Sequence, residues 1–145
     1  MIKVFLDTNI VIDYLAQRTN FFPKASLVIS VCGDNGFKLL VSSLSFATTS
    51  YILSERNKLS AETIKKLFDN FIAVANVTVV DMLTIKQSIN SKFDDFEDAM
   101  QYYSATRENA DCIITRNKKD FTESQIPVYE PDEFINKVKE NVASK

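Results

Sequence analysis

Short apolar runs alternate along this chain with longer segments of helical spacing, and few architectures accept that alternation. Ile2–Leu6, Phe37–Val41, Asn76–Val80, Asp111–Thr115 and Ile126–Tyr129 have the length and the apolar or β-branched character of buried strands. Ile10–Ala16, Lys24–Cys32, Ser42–Arg56, Ala61–Val74 and the stretches from Asp81 to Ser91 and from Asp95 to Glu108 carry helical spacing. Within Ser42–Arg56 the residues Leu44, Ala47, Tyr51 and Ile52 fall near one face. Ser60 stands where it caps its helix, with Glu62 suiting the positive end of the dipole. Pro131 opens a last helix, near Asp132–Val138, in the favoured first turn. Strand–helix alternation of this kind predicts an α/β three-layer sandwich, with a mostly parallel sheet covered on both faces by helices. Such sheets place ligands beyond the carboxyl ends of their strands, so polar residues just after strands are the first site candidates.

The 145 residues suit one domain, residues 1–145 without repeat or linker. At that size folding buries roughly 68–70% of the unfolded surface, so a core forms without disulfides. Roughly the last five to ten residues are expected to fray. The two cysteines, Cys32 and Cys112, each sit in an apolar stretch and read as buried free thiols. No apolar run approaches the roughly 18 residues of a membrane span, and the first residues lack the apolar core of a signal peptide. A cytoplasmic protein without membrane contact is the expectation. The net charge of −2 argues against an extended nucleic-acid surface, but it leaves room for a local grip on a few phosphates.

The chain contains no histidine, which removes Ser-His-Asp and Cys-His catalysis and the HExxH zinc site. Its two glycines form neither a dinucleotide fingerprint nor a Walker loop. Any catalysis must come from carboxylates, hydroxyls, Lys and Arg, and carboxylates select hard cations such as Mg²⁺ or Mn²⁺.

Three places hold suitable side chains. Asp7 follows the first strand directly, where it is either a ligand at the sheet edge or a cap for the next helix, together with Thr8 and Asn9. Asp98 lies in the first turn of a helix, with Asp95 as N-cap and Asp98 at the third position. That arrangement serves a capping box as well as a site, and Asp94 or Asp95 shares its face. The segment Thr115-Arg116-Asn117-Lys118-Lys119-Asp120-Phe121 leads out of the fourth strand. Asn117 and Asp120 offer oxygen donors there, and Arg116, Lys118 and Lys119 offer cations for a phosphate backbone, unless the segment is a solvated loop. Carboxylates brought to one edge repel each other unless a cation sits among them. Tyr102 and Tyr103, beside the acidic helix, are expected to pack in the core, with stacking on a base as the alternative.

These same residues resemble the PIN domain family. The opening Ile2-Lys3-Val4-Phe5-Leu6-Asp7-Thr8-Asn9 is similar to the family's first strand ending in Asp-Thr-Asn. Asp95-Phe96-Glu97-Asp98-Ala99 is similar to its helix with a central Asp before a small residue. Residues 110–121 resemble its strand followed by Thr-Arg-Asp/Asn and then Asp-Phe, and Pro127 to Phe134 resembles its last strand and proline-started helix. The resemblance covers about residues 1–135. It implies a five-stranded parallel sheet and Mg²⁺- or Mn²⁺-dependent endoribonuclease activity on single-stranded RNA. It also implies, from the VapC-like toxins of the family, a homodimer silenced by a partner antitoxin. Asp7, Asp98 and Asp120 would then be the metal-site acids, with Asn117 where members carry Asp or Asn. Thr8, Asn9 and Thr115 would shape the site.

One position departs from the family. Its usual Glu in the helix after the second strand is Thr48 here, a neutral and weaker ligand. Glu55 lies two turns further, about 10 Å along a helix. The departure predicts weaker metal binding, or one ion in place of two, and it supports a second reading: a catalytically weakened or inactive PIN-fold RNA-binding or regulatory module. A phosphatase-like enzyme with Asp7 as covalent nucleophile is a third, although Asn9 breaks the usual Asp-x-Asp.

Overall fold

The computed structural model describes residues 1–143, with side chains through 141. The strands are β1 (Lys3–Leu6), β2 (Lys38–Ser42), β3 (Asn76–Thr78), β4 (Cys112–Ile114) and β5 (Val128–Tyr129). The helices are α1 (Thr8–Leu15), α2 (Phe22–Asp34), α3 (Ser43–Glu55), α4 (Ala61–Ile72), α5 (Met82–Ile89), α6 (Phe96–Arg107) and α7 (Pro131–Ala143). A 3₁₀ turn covers Lys118–Phe121. The expected fraying of the chain end falls, for residues 144 and 145, outside the described residues.

The strands form one sheet in the order β3-β2-β1-β4-β5, and every pairing is parallel. Four strands are shorter than their apolar runs. The hydrogen bonding nevertheless continues past β4: Asp111 N donates to Lys3 O at 2.8 Å and Thr115 N to Tyr129 O at 3.0 Å. The order reverses at β1, which has β2 on one side and β4 on the other. That topological switch opens a crevice at the carboxyl ends of β1 and β4. Asp7 and Thr115 are the residues that follow those two ends.

Alternation along the strands divides the core in two. Val4, Leu6, Leu39, Val41, Cys112 and Ile114 point to one face, where residues of α1, α2 and α7 cover them. Phe5, Leu40 and Ile113 point to the other, against Tyr102 and Ala105 of α6 and Phe121. Both cysteines are buried free thiols, and burial pushes each up to about 12, which keeps them protonated and inert.

Helix α3 corrects one expectation. It forms where the spacing places it, capped by Ser42, but its buried residues are Ser45, Thr49 and Leu53. Tyr51, expected near the apolar face, is 67% exposed. Ser45 turns inward against Gln101 of α6, 3.1 Å from its Nε2, whereas the Thr49 hydroxyl has no hydrogen-bond partner among the described residues. Among the described residues, no helix is long and apolar enough to cross a membrane.

Candidate metal centre

Asp7 is 5% exposed, and its carboxylate is held by four donors. Oδ1 accepts from Thr8 N at 2.8 Å and from Gln101 Nε2 at 3.2 Å. Oδ2 accepts from Thr115 Oγ1 at 2.8 Å and from Asn9 Nδ2 at 3.3 Å. Asp7 is therefore the helix cap that its position suggests, and it is also far more immobilised than capping requires. Burial pushes its pKa up, and the hydrogen bonds from Thr115, Gln101 and Thr8 oppose that push.

A second shell of contacts fixes those donors. Asn9 Nδ2 also reaches Thr115 Oγ1 at 3.2 Å, and Asn9 Oδ1 accepts from Arg116 N at 3.3 Å. Thr8 Oγ1 and Ser45 Oγ stand 2.7 Å apart. Gln101 Nε2 donates to Thr8 Oγ1 at 2.7 Å and approaches Ser45 Oγ at 3.1 Å. Gln101 is fully buried, and its Oε1 has no hydrogen-bond partner among the described residues. One amide thus joins the end of β1, helix α3 and helix α6. Neither Gln101 nor Ser45 stands out in the sequence. The available signal was a glutamine three residues after Asp98, on a helix flanked by Tyr102 and Ala105.

Asp98 sits at the third position of α6, where its backbone N donates to Asp95 Oδ1 at 2.9 Å. The reciprocal half of a capping box is not formed, and the Asp98 carboxylate makes no hydrogen bond among the described residues. It is pushed up to about 7, first by burial and then by the negative charge of Asp7, Asp95, Asp120 and Glu97. Glu97 is also raised, by burial and then by Asp7 and Asp95. Asp94, Asp95, Asp98, Lys119 and Asp120 line a polar cleft of about 170 Å³.

The segment after β4 divides its cations. The Arg116 guanidinium pairs with Asp13, with Nε 2.6 Å from Oδ2, and lies 3.9 Å over the Phe21 ring. Asp13 is 1% exposed and also faces Arg18 at 3.5 Å. Lys118 pairs with Glu133 of α7 at 3.1 Å. Lys119 remains on the wall of the acidic cleft. Asn117 is exposed at the start of the 3₁₀ turn, and its backbone N donates to Thr115 Oγ1 at 3.1 Å. Thr48 lies half-buried on α3, one turn beyond Ser45. Tyr102 is buried in the smaller core, as expected for a packing residue.

The donor set is all hard oxygen. Among the described residues no three acids are drawn tightly enough together to enclose an ion by themselves. Any cation there would be held by one or two carboxylates directly and otherwise by water, a coordination that Mg²⁺ accepts. Burial, and then the negative charge of Asp7, Asp95, Asp120 and Glu97, disfavours an ionised Asp98, and a cation in the cleft would oppose both effects.

A parallel sheet of this order, with an Asp at its switch point and a second Asp in the first turn of α6, defines a class. The chain belongs to the PIN domain family, whose sequence profile matches residues 3–119. It is similar to Ribonuclease VapC1 of Aquifex aeolicus (strain VF5), 29% identical over 138 residues, which is 93% of this chain and 94% of that protein. Its fold matches VapBC-1 from nontypeable Haemophilus influenzae with a TM-score of 0.65 at 17% identity, over 90% of this chain and 99% of that one. VapBC2 from Rickettsia felis, solved bound to a DNA fragment from its promoter, matches with a TM-score of 0.64 at 16% identity, over 89% of this chain and 98% of that one.

Proposed function

We propose that this protein is a metal-dependent endoribonuclease that cleaves single-stranded RNA, the toxin of a toxin–antitoxin pair. The observation that carries the reading is Asp7: a buried carboxylate at the topological switch, gripped by four donors and electrostatically coupled to Asp98 and Asp120. The similarity to a protein named as a ribonuclease supports the activity. The fold shared with VapBC complexes supports an antitoxin as partner.

Asp98 and Asp120 would hold Mg²⁺ or Mn²⁺ from the cleft, with the buried Asp7 adding its negative charge to theirs. The ion supplies Lewis-acid charge to a phosphodiester and acidifies a water for in-line attack. Thr8, Asn9, Thr115 and Gln101 keep the Asp7 carboxylate in one orientation, so no reorganisation is needed as charge develops. Lys119 offers its cation to a neighbouring phosphate, and Asn117 offers an amide at the rim. A homodimer is supported by α5, which exposes Met82, Leu83, Ile85 and Ile89. The phosphatase-like reading is disfavoured by the four donors that occupy the Asp7 oxygens.

The test is cleavage of a mixed single-stranded RNA pool with Mn²⁺, Mg²⁺ or EDTA, comparing wild type with Asp7→Asn and Asp98→Asn. Metal-requiring cleavage that both variants abolish is the expected result. Thr48 motivates the second reading, an RNA-binding module without catalysis. Identical behaviour of wild type and variants would favour it.

A further inference from the structure

Two clefts meet at Phe93. One is the carboxylate cleft. The other, of about 410 Å³, is lined by Asn90, Lys92, Phe93, Tyr102, Tyr103 and Gln125 among others. Lys92, Phe93 and Glu123 line both, so the two form one continuous trough. The second volume falls in the range of roughly 300–1,000 Å³ typical of small-molecule sites.

One short loop creates the junction. Residues 90–95 link α5 to α6, and Phe93 stands two positions before Asp95, the cap of α6. The Phe93 ring is held from beneath, 5.2 Å from Tyr102, 6.3 Å from Tyr103 and 6.2 Å from Phe121 between centroids. Tyr102 is 7% exposed, and its hydroxyl accepts from Gln125 N at 3.1 Å, so it fixes the wall and offers the trough little surface. Phe93 and Tyr103 are half-buried and keep ring surface at the trough. Lys92 and Gln125 are exposed, and among the described residues their side chains make no hydrogen bond or ion pair.

Aromatic surface, a free amide and a free cation beside a phosphodiester site are the chemistry that receives an unstacked base. We infer that the second cleft is a base-binding subsite for the nucleotide next to the cleaved phosphodiester of a single-stranded RNA. Phe93 and Tyr103 wall the base, Gln125 meets its hydrogen-bonding edge, and Lys92 holds the phosphate where the clefts join. A base within a duplex has both faces stacked and cannot enter, so the subsite selects single strands. The placement beside the cut rests on the nuclease reading; the stacking does not.

Two measurements on the full chain separate these claims. In the first, a short single-stranded RNA carrying 2-aminopurine is titrated with Asp98→Asn protein, with and without Phe93→Leu, Lys92→Glu or Gln125→Ala. Stacking quenches the fluorescence, and each added change is expected to weaken binding, about tenfold for Phe93→Leu. In the second, cleavage sites in a single-stranded pool are mapped for wild type and the same three changes made in the wild-type chain. A base preference beside the cut that flattens in Phe93→Leu is expected, with KM raised about tenfold and kcat and Mn²⁺ affinity unchanged. Phe93→Leu keeps apolar bulk, and the exposed Lys92 and Gln125 variants carry the test should its melting point fall. Quenching that depends on these residues, without cleavage by wild type, keeps the subsite and removes the nuclease. Cleavage with preference and KM unmoved by the three changes, and no quenching, overturns the subsite and leaves the nuclease standing.

Discussion

On one face of the sheet, Val4, Leu6, Val41 and Ile114 close against α1, α2 and α7 in an apolar layer. On the other, a smaller apolar cluster around Phe5, Leu40 and Ile113 gives way to buried polar side chains. There Thr78 bonds Ser104, Ser88 bonds the Thr84 carbonyl, and Gln101 ties Asp7 to Thr8 and Ser45. A buried polar group contributes little net stability even when satisfied, and one left unpaired costs about 1–3 kcal/mol. The first face therefore holds the fold, and the second holds geometry. Within that interior Gln101 ties α6 to Asp7 at the end of β1.

The sharpest way to break this contrast is to remove a site acid. Asp98→Asn should reduce cleavage by more than about 100-fold, beyond the roughly 10–100-fold typical of groups that only orient a ligand. Its melting point should rise or hold, because the change relieves repulsion. On the apolar face the pattern should invert. Leu6→Ala empties a fully buried position and should cost about 2–5 kcal/mol in denaturant unfolding, with Mn²⁺ affinity of the folded fraction unchanged. Arg116→Ala leaves the buried Asp13 carboxylate with only the longer Arg18 pairing and should cost up to about 3 kcal/mol, again with metal affinity retained. That outcome would separate Arg116 from the phosphate-gripping role its sequence position suggests.

Gln101→Leu tests the polar face more gently. Removing a buried amide whose Oε1 lacks a partner should leave stability within about 1 kcal/mol. Metal affinity should still fall roughly 10–100-fold through the loosened Asp7. A further effect is in pH. The Asp98 pKa rises on folding from 3.8 to about 7, so the native state holds a proton that the unfolded chain has released between those values. Stability of the metal-free protein should then fall as pH rises through that window, and metal affinity should rise across it. Urea unfolding at several pH values, with and without Mn²⁺, checks both signs.

Much of this was legible in the sequence. Short apolar or β-branched runs separated by helical spacing specify a parallel sheet. Asp7, Asp98 and Asp120 are visible because strand ends and first helical turns are where such sheets present side chains. Asp95 as cap and Asp98 three residues on follow from local chemistry. What escaped reading depends on contacts distant in sequence: Gln101 meets Asp7 across 94 positions. Asp13 likewise meets Arg116 across 103 positions. Ser45 of α3 is polar and buried because Thr8 and Gln101, 37 and 56 positions away, meet its hydroxyl.

The central claim is that Asp7, Asp98 and Asp120 form a site completed by a divalent cation. Calorimetric titration of the wild-type chain and of Asp98→Asn with Mn²⁺, above the Asp98 value of about 7, tests it most directly. The account predicts saturable binding by wild type and at least about a hundredfold weaker binding by the variant. Equal affinities in the two chains, or no binding by wild type, would contradict it.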